Sequence, residues 1–130
     1  MKRILVVEDN PDNMYVMDRI LTHYGFSVHE STSGEEALRL LETNVYDLVL
    51  MDMQMPKLDG YAAVRKLRAF PSMQDVPVIA VTANSMPGDR ERSLEAGCTD
   101  YMSKPIDTRE LVRLIEYYLG GTRSDDDSDR

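Results

Sequence analysis

The sequence predicts an α/β protein in which a doubly wound, five-stranded parallel sheet is covered by helices on both faces. Five apolar segments alternate strictly with five amphipathic segments along the 130 residues, and such alternation is typical of parallel strands joined by crossover helices. The third and fourth apolar segments contain almost no polar residues. Strands of this kind are expected where both faces of a sheet are buried.

The strands are predicted from short apolar or alternating runs that end at polar residues or glycine. The second strand alternates and is short, whereas the third and fourth are nearly all apolar. The predicted strands cover residues 2–7, 26–30, 47–52, 76–82 and 100–103.

The helices are predicted from capping residues and apolar spacing. Either Asn10 or Asp12 can cap the first helix, which stops at Gly25. Ser33 followed by Glu36 forms a capping box for the second helix. The other helices are predicted at residues 60–69, at 87–96 with Pro87 in the first turn and Gly97 after the end, and at 108–119.

The composition and net charge of the chain argue against some classes of function. The net charge of −8 argues against a nucleic-acid surface, which needs clustered Lys and Arg, and favours Mg²⁺ or a basic protein partner. No apolar stretch is long enough to span a membrane. The single cysteine, Cys98, fits a reducing cytoplasm. Residues 122–130 are strongly acidic, and we interpret them as a solvated tail.

Polar residues stand where four predicted strands end. Glu8 and Asp9 follow the first, Asp52 ends the third, Thr82 ends the fourth and Lys104 follows the fifth. The carboxyl ends of parallel strands meet at one edge of the sheet, where ligands bind. Adjacent acids repel unless a cation compensates them, and Mg²⁺ prefers oxygen ligands. The set predicts a metal-dependent phosphoryl site.

Each of these residues also has an ordinary structural interpretation when taken alone. Glu8 and Asp9 could be a strand end and a helix cap, and Asp52 a turn residue. Only the convergence on one sheet edge favours function. We assign Asp59 and Gly60 to structure, as a turn and a helix start.

The chain resembles the receiver domain of two-component response regulators over about residues 2–119. The resemblance is carried by four motifs in the right order: Glu8-Asp9, the stretch 52–60, Thr82-Ala83 and Lys104-Pro105. It implies a (βα)5 fold with the flavodoxin-like topology of chemotaxis-type proteins. We therefore divide the chain into a receiver domain at 1–121 and an acidic tail at 122–130.

The resemblance also implies the roles of the site residues. Asp52 is the phosphorylation site and receives its phosphoryl group from a histidine kinase or a phosphotransfer protein. Mg²⁺ is held by Asp9, Asp52 and the backbone carbonyl of Gln54, with Glu8 acting through water. The protein is then no enzyme, apart from catalysing its own phosphorylation and dephosphorylation. It signals through altered contact with a downstream protein.

The phosphoryl oxygens need three sources of compensating charge or hydrogen bonds. Mg²⁺ takes one oxygen, the Lys104 ammonium a second, and the Thr82 hydroxyl with the Ala83 N–H a third. The resemblance implies that the peptide bond between Lys104 and Pro105 is cis. Gln54 and Asn84 are the residues that the resemblance places over the path of the hydrolytic water.

Signal output requires two states. By resemblance, Thr82 and Tyr101 form the switch pair, although Tyr101 alone could be a half-exposed strand tyrosine. Met86, Tyr117 and Tyr118 are candidates for exposed contacts nearby, and core packing is the alternative for at least one of the tyrosines.

Three other classes of protein fit less well. A haloacid-dehalogenase-like phosphatase carries a second aspartate two positions after the acceptor, where this chain has Gln54. A degenerate receiver would lack the acceptor, an acid or the lysine. A flavin-binding module would need a Ser/Thr/Gly-rich loop after the first strand, and the sequence there is acidic. Whether the chain is a single-domain regulator or part of a larger protein stays open.

Overall fold

The computed structural model describes residues 1–55, 59–83 and 87–120. The strands in these ranges are β1 (Arg3–Val7), β2 (Ser27–Ser31), β3 (Leu48–Asp52), β4 (Val78–Thr82) and β5 (Asp100–Ser103). The helices are α1 (Pro11–His23), α2 (Gly34–Thr43), α3 (Gly60–Arg68), α4 (Asp89–Ala96) and α5 (Thr108–Tyr118), with a short 3-10 helix at Pro71–Met73. The predicted acidic tail at 122–130 lies outside the described residues.

The five strands form one parallel sheet in the order β2-β1-β3-β4-β5. The order reverses direction at β1, so the helix that follows β1 lies on the opposite face of the sheet from the helices that follow β2, β3 and β4. This arrangement confirms the predicted doubly wound α/β fold. It also brings the ends of β1 and β3 side by side, with Val7 in register with Met51.

Alternating side chains along each strand build two separate hydrophobic layers. Helices α1 and α5 cover one face, where Ile4, Val6, Leu48 and Leu50 pack with Met17, Leu21, Leu111 and Ile115. Helices α2, α3 and α4 cover the other, where Leu5, Val7, Val49 and Met51 pack with Ala37, Leu41, Val64 and Ala96. The central strands are thus buried on both sides and cannot shift without disturbing both layers.

Most of the predicted helix ends are confirmed, and one is wrong. The first helix is capped by Asn10, which accepts a hydrogen bond from the N–H of Asn13 at 2.9 Å. The predicted start of the fourth helix at Pro87 is wrong, because α4 begins at Asp89. Gly88 lies before it in the left-handed region, with φ of 91°, and a residue in that conformation cannot continue a right-handed helix.

The capping box at the second helix is only half formed. Ser33 Oγ accepts from the N–H of Glu36 at 3.1 Å, as predicted. The Glu36 carboxylate instead accepts from the N–H of Thr32, one residue earlier than a reciprocal box requires.

Two residues at the start of α3 fix the position of this helix next to the end of β3. Asp59 caps this helix by accepting from the N–H groups of Tyr61 and Ala62. A Cβ atom on Gly60 would lie 2.9 Å from the Cα of Met53, closer than packed atoms tolerate. Glycine is therefore required by this close approach, and the structural assignment of Asp59 and Gly60 is confirmed.

Candidate functional site

The carboxyl edge of the sheet brings the predicted site residues together. Glu8 follows β1, Asp52 ends the neighbouring β3, and Thr82 ends the next strand, β4. Lys104 follows β5 and reaches back across β4 to Asp52. The backbone there extends the strand pairing, since the N–H of Lys104 donates to the carbonyl of Thr82 at 2.8 Å.

Asp52 is buried and held in a fixed orientation. Its side chain is 3% exposed. Oδ1 accepts from the backbone N–H of Gln54 at 3.0 Å, and Oδ2 accepts from the ammonium of Lys104 at 3.1 Å. The peptide bond between Lys104 and Pro105 is cis, as the resemblance implied. Each carboxylate oxygen is thus oriented by one donor, while further lone pairs stay available for a ligand.

Glu8 is the most deeply buried charged side chain at this edge, with none of its side chain exposed. Oε2 accepts from the N–H of Asn10 at 3.1 Å. Within the described residues Oε1 accepts no hydrogen bond, although it lies 3.5 Å from the Lys104 ammonium. A buried carboxylate oxygen left in this way is costly unless another cation or a water serves it.

The charge of this cluster is incompletely balanced. Burial raises the pKa of the Glu8 carboxyl above its ordinary value. The hydrogen bond from Asn10 opposes this rise in pKa, the nearby Asp52 carboxyl adds to it, and the ammonium of Lys104 opposes it. Among the described residues, the three carboxylates cluster around a single ammonium, that of Lys104, which contacts Glu8 and Asp52. Such an excess of negative charge is the electrostatic setting in which a divalent cation binds.

The acidic side chains lie close enough together to hold one metal ion. One carboxylate oxygen from each of Glu8, Asp9 and Asp52 lies within 4.8 Å of the others. Asp9 is exposed while Glu8 and Asp52 are buried, so the cluster opens to solvent on one side. The oxygen-only donor set and the orphaned Oε1 of Glu8 both fit Mg²⁺ with bound water.

A cleft of about 440 Å³ gives access to this edge from the side of α1. Glu8, Lys104 and Ala83 contribute to its walls. Its other lining residues are uncharged and belong to α1 and to the segment before α5: Asn13, Val16, Met17, Pro105 and Ile106. The cleft thus combines a mostly apolar lining with the charged groups of Glu8 and Lys104.

Two loops at this edge are joined by a contact that the sequence did not reveal. The N–H of Ala83 donates to Oε1 of Gln54 at 2.6 Å, and so links the ends of β3 and β4. Thr82 is buried at 5% exposure, and Tyr101 is half-buried against the layer that includes α3 and α4. The sequence analysis predicted that the backbone carbonyl of Gln54 binds Mg²⁺ and that this residue lies over the path of the hydrolytic water. It did not predict the hydrogen bond from Ala83.

The remaining predicted residues have mixed outcomes. Asn84 and Met86 lie outside the described residues. Tyr117 is exposed, whereas Tyr118 packs against the layer under α5 and donates its hydroxyl to Asp100 at 2.6 Å. Cys98 is buried as predicted, and burial raises the pKa of its thiol to about 11, which leaves it inert.

Comparison with known proteins decides the family. The sequence profile of the response regulator receiver domain matches residues 4–116 of this chain. The chain belongs to this family. As a receiver domain it is a signalling module of two-component systems, in agreement with the site described above.

Individual relatives extend this picture. The receiver is 39% identical to the polar-differentiation response regulator DivK of Brucella ovis over 119 residues, covering 92% of this chain and 97% of DivK. It is also similar to the receiver domain of a sensor histidine kinase from Pseudomonas aeruginosa, with 43% identity, a TM-score of 0.84 and coverage of 92% and 98%. That structure has a magnesium ion coordinated in its active-site cleft.

A further solved structure shows a receiver domain together with a phosphotransfer protein. The receiver domain of Ssk1 from Saccharomyces cerevisiae, in complex with the histidine phosphotransfer protein Ypd1, matches with 27% identity and a TM-score of 0.83. The match covers 92% of this receiver and 89% of that chain. None of the helices in the described part of this receiver has the length and apolar character needed to cross a bilayer.

Proposed function

We propose that this receiver accepts a phosphoryl group on Asp52 from a histidine kinase or a phosphotransfer protein and passes the signal on by altered contact with a downstream protein. The observation that carries the proposal is the Asp52 carboxylate, buried and oriented by the Gln54 N–H and the Lys104 ammonium. A carboxylate can act as a nucleophile toward phosphorus if it is aligned and if the charge on the phosphoryl oxygens is balanced.

Each of these groups has one role in the proposed transfer. An Asp52 oxygen attacks the phosphorus of a phosphohistidine, and the P–N bond breaks with its electron pair remaining on the imidazole, which takes up a proton. Lys104, already 3.1 Å from Oδ2, can follow the negative charge onto the transferred group. Thr82 and the N–H of Ala83, at the end of β4, are the proposed donors to another phosphoryl oxygen.

The proposed metal ligands are Asp9, Asp52 and the backbone carbonyl of Gln54, with Glu8 acting through water. Mg²⁺, when bound, supplies positive charge that balances the carboxylates and the phosphoryl oxygens. The Mg²⁺ in the Pseudomonas aeruginosa receiver domain supports this assignment, as does the clustering of the three carboxylates here.

The remaining parts of the proposal concern output and lifetime. Thr82 and Tyr101 are the proposed switch pair, and the protein is proposed to catalyse only its own phosphorylation and dephosphorylation. We assign the receiver domain to residues 1–121, the acidic tail to 122–130 and the place of action to the cytoplasm, which fits the reduced, buried Cys98. Neither nucleic acid nor membrane is proposed as a direct partner.

The test uses a small acyl phosphate as donor. Wild-type protein incubated with acetyl phosphate and Mg²⁺ should gain one base-labile phosphoryl group, detected as a mass increase of the intact chain. Asp52→Asn should gain none. Asp47→Asn changes the aspartate directly before β3 and should react like wild type. Equal labelling of Asp52→Asn, or labelling that persists in EDTA, would contradict the proposal.

A further inference from the structure

The side chain of Gln54 occupies a hydrogen-bond donor that the proposed reaction needs. Oε1 of Gln54 accepts from the N–H of Ala83 at 2.6 Å, and both residues are exposed. A backbone N–H has one hydrogen to donate. A phosphoryl oxygen that binds to Ala83 must therefore displace the amide oxygen of Gln54.

We propose that Gln54 is a built-in competitor of the phosphoryl group: its amide closes the Ala83 donor in the resting protein and must release it when Asp52 is loaded. This inference rests on the proposed function, and it adds a regulatory role for the Gln54 side chain at the same site. We call the hydrogen bond from Ala83 to Gln54 the amide latch.

The latch is well placed because one residue serves both halves of the site. The backbone N–H of Gln54 holds Oδ1 of Asp52 at 3.0 Å, and the side chain of the same residue reaches the donor at the end of the next strand. The nucleophile is thus kept oriented while the donor for the incoming charge stays closed. Release of the side chain does not require the backbone contact to Asp52 to break.

The balance between the two acceptors follows from their charge. A phosphoryl oxygen carries negative charge and accepts a stronger hydrogen bond than a neutral amide, so loading can open the latch. The hydrogen bond between Ala83 and Gln54 is neutral and exposed to solvent, and it must break before a phosphoryl oxygen can bind to Ala83. The cost of breaking it lowers the affinity of the site for a phosphoryl group by about 2- to 10-fold. A variant without the amide oxygen should therefore bind the phosphoryl group more tightly by the same factor.

The test measures the binding of beryllium fluoride, a phosphoryl analogue, at a Mg²⁺ concentration that saturates each variant. Gln54→Met keeps the length of the side chain but lacks a strong acceptor, and Gln54→Ala removes both bulk and acceptor. Both variants should bind beryllium fluoride about 2- to 10-fold more tightly than wild type by fluorine NMR. Tighter binding in Gln54→Ala alone would assign the effect to bulk and overturn the latch.

A second measurement does not depend on phosphorylation. In the resting protein the Ala83 amide should exchange slowly with solvent hydrogen, and in both variants it should exchange several-fold faster; equal exchange rates would overturn the latch. Equal affinities for beryllium fluoride in all three proteins would overturn it while leaving the proposed function intact. Absence of binding in all three would overturn the proposed function and the latch with it.

Discussion

The two edges of the sheet differ in how completely the protein surrounds its charged side chains with partners. At the amino edge, the half-buried guanidinium of Arg68 is surrounded by oxygen acceptors. It donates to the carbonyls of Gly97, Met73 and Val76 and to the hydroxyl of Thr99. These four hydrogen bonds join the end of α3 to the segments that lead into β4 and β5.

Arg3 plays a similar part on the other side of the same edge. Its guanidinium donates to the carbonyl of Val45 at 3.1 Å and to Oδ1 of Asn44 at 3.2 Å, and it lies 5.1 Å from the centre of the Tyr46 ring. Its backbone N–H donates to the Asp47 carboxylate at 2.7 Å. Both arginines therefore have protein partners on several sides.

The carboxyl edge shows the opposite balance. The carboxylates of Glu8, Asp9 and Asp52 cluster there, and the ammonium of Lys104 contacts those of Glu8 and Asp52. One buried oxygen of Glu8 accepts no hydrogen bond within the described residues. The charged side chains at the amino edge, which have a structural role, are surrounded by acceptors of the protein itself. The carboxylates at the carboxyl edge, which have the proposed functional role, carry negative charge that a bound cation can compensate. This excess of negative charge lowers stability in the absence of a ligand.

The largest effect on stability is expected from a substitution of Arg68 at the amino edge. Arg68→Met should lower the free energy of unfolding by about 3 kcal/mol, because four part-buried acceptors lose a charged donor at once. Urea denaturation measures this change. Mg²⁺ binding at the distant carboxyl edge should be unaffected.

The control for Arg68→Met is Arg65→Met, an exposed position on the same helix, which should change stability by less than about 0.5 kcal/mol. Similar losses in both variants would show that the Arg68 contacts do not stabilise the fold.

The second prediction concerns the binding of Mg²⁺ at the carboxyl edge. Wild-type protein should be stabilised by Mg²⁺, by about 2.7 kcal/mol at roughly 100 times the dissociation constant. Asp9→Ala should lose this response, while its stability without metal should hold or rise because one of three repelling carboxylates is gone. Thermal unfolding with and without Mg²⁺ gives the comparison. If Asp9→Ala and Asp12→Ala respond to Mg²⁺ as strongly as wild type, Asp9 is not a ligand.

Much of this contrast was accessible from sequence, because it depends on where strands end. The acids and Lys104 fall at the ends of apolar runs, and parallel strands bring those ends to one edge. The Arg68 contacts carry no such signal, since their acceptors are backbone carbonyls that any sequence supplies. The amide latch joins Gln54 to Ala83 across two strands, and side-chain reach of this kind depends on the folded geometry.

The incorrect start of α4 has a local cause. Pro87 is favourable in a first helical turn, and the sequence prediction gave it that position. Gly88 adopts φ of 91° instead and ends the preceding turn. A glycine directly after proline was a signal for such a turn, so this boundary could have been placed correctly from sequence.

The third prediction removes the ammonium of Lys104 from the carboxyl edge. Lys104→Met should lower stability without metal by about 1–2 kcal/mol, because the buried Asp52 oxygen loses its donor. Affinity for Mg²⁺ should rise, because the carboxylates are then less compensated, while phosphorylation by acetyl phosphate falls. Lys104→Arg, which keeps the charge, should retain most of the stability. A stability loss in both variants alike would mean that shape rather than charge matters at this position.

The smallest effect is expected from Glu8 and depends on pH. Burial raises the pKa of its carboxyl in the folded protein, so the folded chain binds this proton more tightly than the unfolded chain does. The stabilising contribution is fully present below the ordinary pKa of 4.5 and is lost as pH rises through the folded value. Glu8→Gln cannot ionise and should avoid this loss.

Without metal, Glu8→Gln should therefore be more stable than wild type at neutral pH, by about 0.5–1 kcal/mol, and the difference should shrink toward zero as pH falls below about 4.5. Urea denaturation across this pH range measures it, with Glu35→Gln, exposed on α2, as the matched control. Added Mg²⁺ should reverse the order at neutral pH, because the bound cation compensates the charge of the wild-type carboxylate, whereas the amide in the Glu8→Gln variant is neutral. If wild type and Glu8→Gln keep parallel pH profiles, the Glu8 carboxylate does not cause the instability of this edge.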